Sequence, residues 1–378
     1  MMKKTFAEHL DPKITPKRIL SLDGGGIRGA LSLGFLKKIE TILRQREGDP
    51  NLLLCDYFDL IGGTSTGSII AAGLSIGFSV DDLVKLYMDL GGKIFGKKNN
   101  WWNPLETFKF MKAGYDHKVL EESLRKAFGE ITLGSDKIRT GLCIVAKRAD
   151  TNSVWPLINH PGGKYFDSAI GKNKDIPLWK AVRASSAAPT YFLPQMIDVG
   201  NGQVGAFVDG GVSMANNPSL TLLMVATLKG FPFQWEMGED KLSIVSVGTG
   251  YSVFKKKSGE IEEAWLATWA AAVPNMLMQD ASSQNELLLQ WLSESPTAVE
   301  IDGESGKLQG DYLAGKPMLK YLRYNFAITE KELNGLGIGT FDDADVESLI
   351  EMSNAENRFR LYDIGSAAAN KVLPEHLS

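Results

Sequence analysis

Tyr57-Phe-Asp-Leu-Ile-Gly-Gly-Thr-Ser-Thr-Gly67, followed by Ser68-Ile-Ile-Ala-Ala-Gly-Leu-Ser-Ile76, is the stretch that decides the fold. An apolar run, a glycine-rich turn and a small-residue apolar segment in immediate succession predict a strand over 57–61, a tight turn and a buried helix. The turn, Gly63 to Gly67, has the form G-x-S-x-G. In a nucleophile elbow the serine backbone is forced into a strained conformation that lifts its Oγ out of the sheet, and only small neighbours tolerate the bend. Ser65 is therefore a candidate nucleophile. The alternative is an ordinary strand-to-helix turn with a capping serine.

Working outward, Arg18-Ile-Leu-Ser-Leu22 runs into Asp23-Gly-Gly-Gly-Ile-Arg-Gly29, again a strand entering a glycine turn. Leu31, Phe35, Ile39, Ile42 and Leu43 recur at helical spacing up to Gly48-Asp49-Pro50. Strand, helix, strand, helix with short links is the signature of a parallel sheet with right-handed crossovers. Helices are expected from Ser79, where Ser79 and Asp82 form a capping-box pattern, and around 118–125. Strands are expected over 141–146, 154–158, 206–208 and 242–247. A helical pattern spans 262–293, with Pro274 expected to kink or break it. Farther on, 319–326 reads as a strand and 346–352 and 361–372 as helices. The polar, glycine-rich stretch 302–315 marks a boundary or excursion. The chain is read as one large α/β unit, a catalytic core over 17–250 with a helical extension, 251–378, packed on the same domain.

The chain has 378 residues, 44% of them hydrophobic, enough for a large core. Its 41 Lys and Arg against 45 Asp and Glu leave a net charge of −4, which argues against a nucleic acid polymer as partner. The two cysteines, Cys55 and Cys143, sit in apolar runs and read as buried thiols of a reduced compartment. The first residues lack the apolar core of a secretory signal. The longest apolar stretch, 265–278, is too short to span a bilayer. A cytoplasmic protein is expected, with membrane contact at most peripheral, at the inner face.

The turn after the first strand is literally G-x-G-x-x-G, so a dinucleotide site must be weighed. That reading needs an acidic residue at the end of the second strand, where this chain has the serine turn instead. No Lys-Ser or Lys-Thr closes the loop as a phosphate-binding P-loop requires. What remains is a cluster of backbone N–H groups, at Gly24, Gly25 and Gly26, with Arg28 adding positive charge. Beside a serine nucleophile such a nest suits an oxyanion.

The hydroxyl also needs a base. His9, His117, His160 and His376 are the only histidines, and none has convincing site context; His160 and His376 keep a triad open on chain order alone. Asp209, in Phe207-Val208-Asp209-Gly210-Gly211, stands at the end of an apolar strand where two glycines allow another loop to approach. Partial burial would raise its pKa toward that of a useful base. Asp23, opening the other Asp-Gly-Gly, is the rival.

Taken together, the Asp-Gly-Gly-Gly-Ile-Arg-Gly turn at 23–29, the elbow at 63–67, Ala184-Ser-Ser-Ala-Ala-Pro189 ahead of Tyr191-Phe192, and Val208-Asp-Gly-Gly211 with Asn216-Asn-Pro218 resemble the patatin-like phospholipases over roughly 17–250. The resemblance implies a three-layer α/β/α fold with a mostly parallel central sheet. It also implies a Ser65–Asp209 dyad that hydrolyses fatty acyl esters of phospholipid or other acyl-lipid substrates without calcium, and an oxyanion hole at Gly24, Gly25 and Gly26 supported by Arg28. Some bacterial proteins of similar sequence are effectors switched on by cyclic nucleotides to degrade membrane phospholipid. Independently, no D-x-D-x-D-G loop or Cys/His cluster supplies a metal site, and no cofactor is expected. A soluble carboxylesterase or thioesterase and a non-catalytic α/β ligand-binding module are the competing readings. Residues 93–112 interleave lysines with large aromatics. They suit either a peripheral lipid-contact loop or an insertion whose aromatics are core.

Overall fold

The computed structural model describes residues 3–94, 117–189, 191–253, 259 and 265–377. A single sheet organises the chain. Its strands are β1 (Lys17–Leu22), β2 (Leu60–Thr64), β3 (Gly141–Arg148), β4 (Ser153–Ile158), β5 (Gln195–Gly200), β6 (Gln203–Asp209), β7 (Leu242–Val247), β8 (Ser293–Glu294) and β9 (Leu319–Tyr324). β1 lies between β2 and β7, β2 pairs with β3, and β9 joins β7 to β8, all in parallel. Antiparallel pairing is confined to the β3 side, through β4, β6 and β5.

Side-chain alternation along the strands builds two cores, one on each sheet face. Leu20, Leu22, Ile61, Leu142, Ile144, Val245, Val247, Leu322 and Tyr324 face the helices Gly29–Glu47, Thr66–Ser75 and Arg358–Ala368. Ile19, Leu60, Cys143, Val145, Leu242, Ile244 and Tyr321 face Ser219–Thr227 and the end of Leu266–Leu292. The result is the expected layered α/β/α arrangement around a mixed, mostly parallel sheet. Cys55 and Cys143 are buried free thiols. The Ser79–Asp82 capping box forms, each side chain taking the other's backbone N–H.

Several boundaries differ from the sequence reading. Residues 54–57 form a short helix, and the second strand is Leu60–Thr64, so the glycines read as turn are strand. Gly63 belongs there because a Cβ on it would stand 2.2 Å from the Gly67 carbonyl oxygen, closing the space the elbow needs. β5 was not anticipated; its polar, alternately exposed residues carry a weak signal. The helix Leu266–Leu292 continues through Pro274 rather than breaking there. The last long helix is Arg358–Ala368, with two 3-10 turns, Ala369–Lys371 and Pro374–Leu377, beyond it. The chain past 250 supplies strands as well as helices, since β8 and β9 extend the sheet. No helix among the described residues is long and apolar enough to cross a membrane. Apart from Lys93 and Ile94, which end the helix Val80–Ile94, residues 93–112 lie outside the described residues.

Candidate active site

Sheet register brings the two principal candidates together. β3 outruns β2: Thr64, the last residue of β2, pairs with Val145, and the next position of β3, Ala146, pairs with Asp209 at the end of β6. β4 occupies the opposite edge of β3. Ser65 and Asp209 thus leave adjacent register positions on one edge, although 144 residues separate them in sequence.

Ser65 has φ 54° and ψ −123°, a conformation costly for any residue with a Cβ. It joins β2 to the helix Thr66–Ser75, and its backbone carbonyl accepts from the N–H and hydroxyl of Ser68. The Ser65 hydroxyl donates to Asp209 Oδ2 at 2.5 Å. Asp209 Oδ1 accepts from the Gly211 N–H at 2.7 Å. Burial pushes the Asp209 carboxyl up to about 6, with the Ser65 and Gly211 hydrogen bonds opposing the shift. Among the described residues no cation neutralises it, so it combines a carboxylate's position with a basicity suited to accepting a proton near neutral pH.

The segment Ala184–Pro189, given no role from sequence, holds both residues. Ser185 Oγ accepts the Ser65 N–H at 2.9 Å and donates to the Val145 carbonyl at 2.5 Å. The Ala187 carbonyl accepts the Asp209 N–H at 3.0 Å. Tyr87 was also missed: its hydroxyl pairs with the Thr66 hydroxyl and donates to the Gly26 carbonyl, joining the elbow to the glycine turn. Side chains from remote helices that contact a site through one hydroxyl leave no local sequence pattern.

Gly24 lies against Ser65, since a Cβ on it would stand 3.3 Å from the Ser65 Cβ. Its own N–H is donated to the Asn216 carbonyl at 3.0 Å, which removes it from the set of free donors. Among the described residues nothing accepts the N–H of Gly25 or Gly26. Arg28 is buried, with its Nε unpaired, and burial lowers its pKa to about 10 against the pull of Asp23.

The rival acid is differently engaged. Asp23 receives two hydrogen bonds from Arg323, at 2.9 and 2.6 Å, in a buried bidentate pair. His9 lies against Asp59, His160 takes the Gly162 N–H, and His376 pairs with the Tyr324 hydroxyl; Ser65 Oγ turns to the carboxylate. His117 begins the helix His117–Phe128. Among the described residues no three His, Cys, Asp or Glu side chains cluster closely enough to hold a metal ion.

Ser65, Asp209, Gly25 and Gly26 open onto a cavity of about 2190 Å3, whose walls near the serine include Ile69, Leu120, Tyr191 and Phe192. A strained hydroxyl hydrogen-bonded to a buried carboxylate, on the same cavity as N–H groups with no acceptor among the described residues, is suited to acyl transfer. The patatin-like phospholipase profile matches residues 20–223, more than half of the chain, and the chain belongs to that family. It is a lipid acyl hydrolase. Patatin-17 of Solanum cardiophyllum is 28% identical over 330 residues, 82% of this chain and 79% of the relative. A cGAMP-activated phospholipase of Escherichia coli (strain TW11681) is 31% identical over 239 residues, 61% of this chain and 62% of the relative. Among solved structures, human GIVD cytosolic phospholipase A2 aligns over 96% of this chain and 60% of its own, at 10% identity and a TM-score of 0.45.

Proposed function

We propose that the chain cleaves fatty acyl esters of phospholipids through an acyl-enzyme on Ser65, with Asp209 as the only general base and acid. The observation that carries this is the 2.5 Å hydrogen bond from a strained Ser65 to a buried, uncompensated Asp209. Ser65 Oγ attacks the ester carbonyl while its proton passes to Asp209 Oδ2. The carbonyl oxygen, now negative, is met by the N–H groups of Gly25 and Gly26, and Arg28 adds positive charge behind that turn. Collapse of the tetrahedral species expels the lysophospholipid alkoxide, which takes the proton from Asp209. Water then attacks the acyl-enzyme, giving its proton to the same carboxylate, which returns it to Ser65 Oγ as the Oγ–acyl bond breaks and free fatty acid leaves. The apolar walls beside Ser65 suit the acyl chain. Covalent labelling with a fluorophosphonate tests the reading: wild type should label and S65A should not, and equal labelling of both would remove Ser65 as the nucleophile. Comparing vesicle phospholipid with a short soluble ester separates a phospholipase from a soluble esterase.

The likeness to a cGAMP-activated phospholipase supports a further reading, in which a cyclic dinucleotide switches this activity on. Fatty acid release from phospholipid vesicles, measured with and without cGAMP, decides it. Equal rates remove it.

A further inference from the structure

Three consecutive glycines have little conformational preference, so the direction of the Gly25 and Gly26 N–H groups must be imposed by whatever grips the turn. At its entrance, Asp23 is held by Arg323 through both carboxylate oxygens. In the middle, the Thr249 hydroxyl donates to the Gly24 carbonyl at 2.9 Å. At its exit, the Ile27 N–H is donated to the Met352 carbonyl at 2.9 Å. Arg323, Thr249 and Met352 all lie beyond residue 223, outside the segment that carries the family match.

We propose that Arg323 is a positioning residue for the oxyanion turn, so that the chain past residue 250 is part of the catalytic unit. This rests on the function proposed above. A planar guanidinium meeting a carboxylate with two parallel bonds fixes orientation as well as distance. A buried ion pair adds little net stability over well-packed apolar groups, because desolvation cancels most of the attraction; what it supplies is a defined geometry. Arg323 is itself braced. Its second bond from the same nitrogen goes to Ser246 Oγ at 2.8 Å, its N–H to Thr297 Oγ1 at 2.7 Å, and its Nε lies 3.5 Å from Glu286 Oε2. Burial works against its charge, while Asp23, Tyr321 and Glu286 together hold that charge in place. The brace thus runs from the helix Leu266–Leu292 through β9 to the residue from which the glycine turn departs.

The test compares Arg323→Gln, Arg323→Lys and the doubly neutral D23N/R323Q with wild type, using a short-chain acyl ester well below each protein's melting temperature. Misplacing a donor by about 1 Å costs roughly 100-fold in rate, so R323Q should lose about 100-fold in kcat with KM within about threefold. R323K, which keeps the charge but not the fork, should recover about tenfold of that loss. Should R323Q not fold, D23N/R323Q removes both charges of the bidentate pair together and should still lose at least about tenfold in kcat. The acid limb of the pH profile, set by Asp209, should stay where wild type has it. Any folded variant lacking Arg323 that keeps kcat within about threefold of wild type overturns the proposal, as does a loss accompanied by a moved acid limb, which would place the damage at the base. Failure of wild type itself to turn over would sink the proposed function instead.

Discussion

Two Asp-Gly-Gly turns close two strands of the same sheet, β1 and β6, and their acids have opposite fates. Asp23 and Asp209 are both buried, and each ends a strand with two glycines behind it. Asp23 meets a guanidinium with both oxygens. Among the described residues the Asp209 carboxylate meets a hydroxyl and a backbone N–H. Burial pushes up the carboxyl of each; at Asp23 the charge of Arg323 and its hydrogen bonds push back, whereas at Asp209 no charge does. The same tripeptide is therefore tied to a cation in one place and left beside a hydroxyl in the other, and the difference lies in which remote side chain reaches it.

Exchanging carboxylate for amide at each site separates the two roles. Asp209→Asn should lower kcat on a short acyl ester by at least about 1000-fold, because no other group accepts the Ser65 proton. The variant should remain folded, with the amide oxygen accepting the Gly211 N–H and the amide NH2 donating to the Ser65 hydroxyl. Retained turnover would return the base to Asp23 or His160. Asp23→Asn strands a buried guanidinium and should cost about 3–5 kcal/mol of folding stability in a denaturant titration. A loss below about 1 kcal/mol would show that the ion pair is not what holds the turn.

The elbow is legible in the chain because its requirements are local. A strained serine needs small neighbours on either side, and Gly63, Thr64, Thr66 and Gly67 supply them within five residues. Alternation and helical spacing likewise expose the strands and helices that bury one face each. The oxyanion turn is legible only in outline. Three glycines announce a bend, but not that Asn216 takes the Gly24 N–H, nor that Thr249, Tyr87 and Met352 grip the rest. Ser185 is hidden for the same reason: its hydroxyl bridges Ser65 and Val145 across the sheet, and nothing in Ala184-Ser-Ser-Ala-Ala-Pro189 points there. Asp209 could be preferred to Asp23 from sequence, because a base in the oxyanion turn would compete with the charge that turn must stabilise, but the partner that holds Asp23 is hidden, since Arg323 lies 300 residues away.

The smallest expected effect is also the most direct measure of how Asp209 differs from an ordinary carboxylate. Its folded pKa of about 6 stands above the value of 3.8 that an unperturbed Asp shows. The base must be ionised to act, so kcat/KM should fall about tenfold per pH unit below a limb near pH 6. The sign for stability is the reverse of the usual carboxylate case. Between pH 3.8 and 6 the folded state binds the Asp209 proton more tightly than the unfolded state does, so this group's contribution to stability declines as pH rises through that window. Above it the full cost of keeping a buried charge is present, on the order of 3 kcal/mol. Asp209→Asn removes that cost while its oxygen still accepts the Gly211 N–H and its NH2 faces the Ser65 hydroxyl. The variant should therefore be more stable than wild type by about 2–3 kcal/mol at pH 8, and the gap should close as pH falls toward 4. Denaturant titrations of both proteins across that range read it directly. A variant no more stable than wild type at pH 8 would mean that Asp209 is better solvated than its burial implies, and the limb in kcat/KM should then appear nearer pH 4.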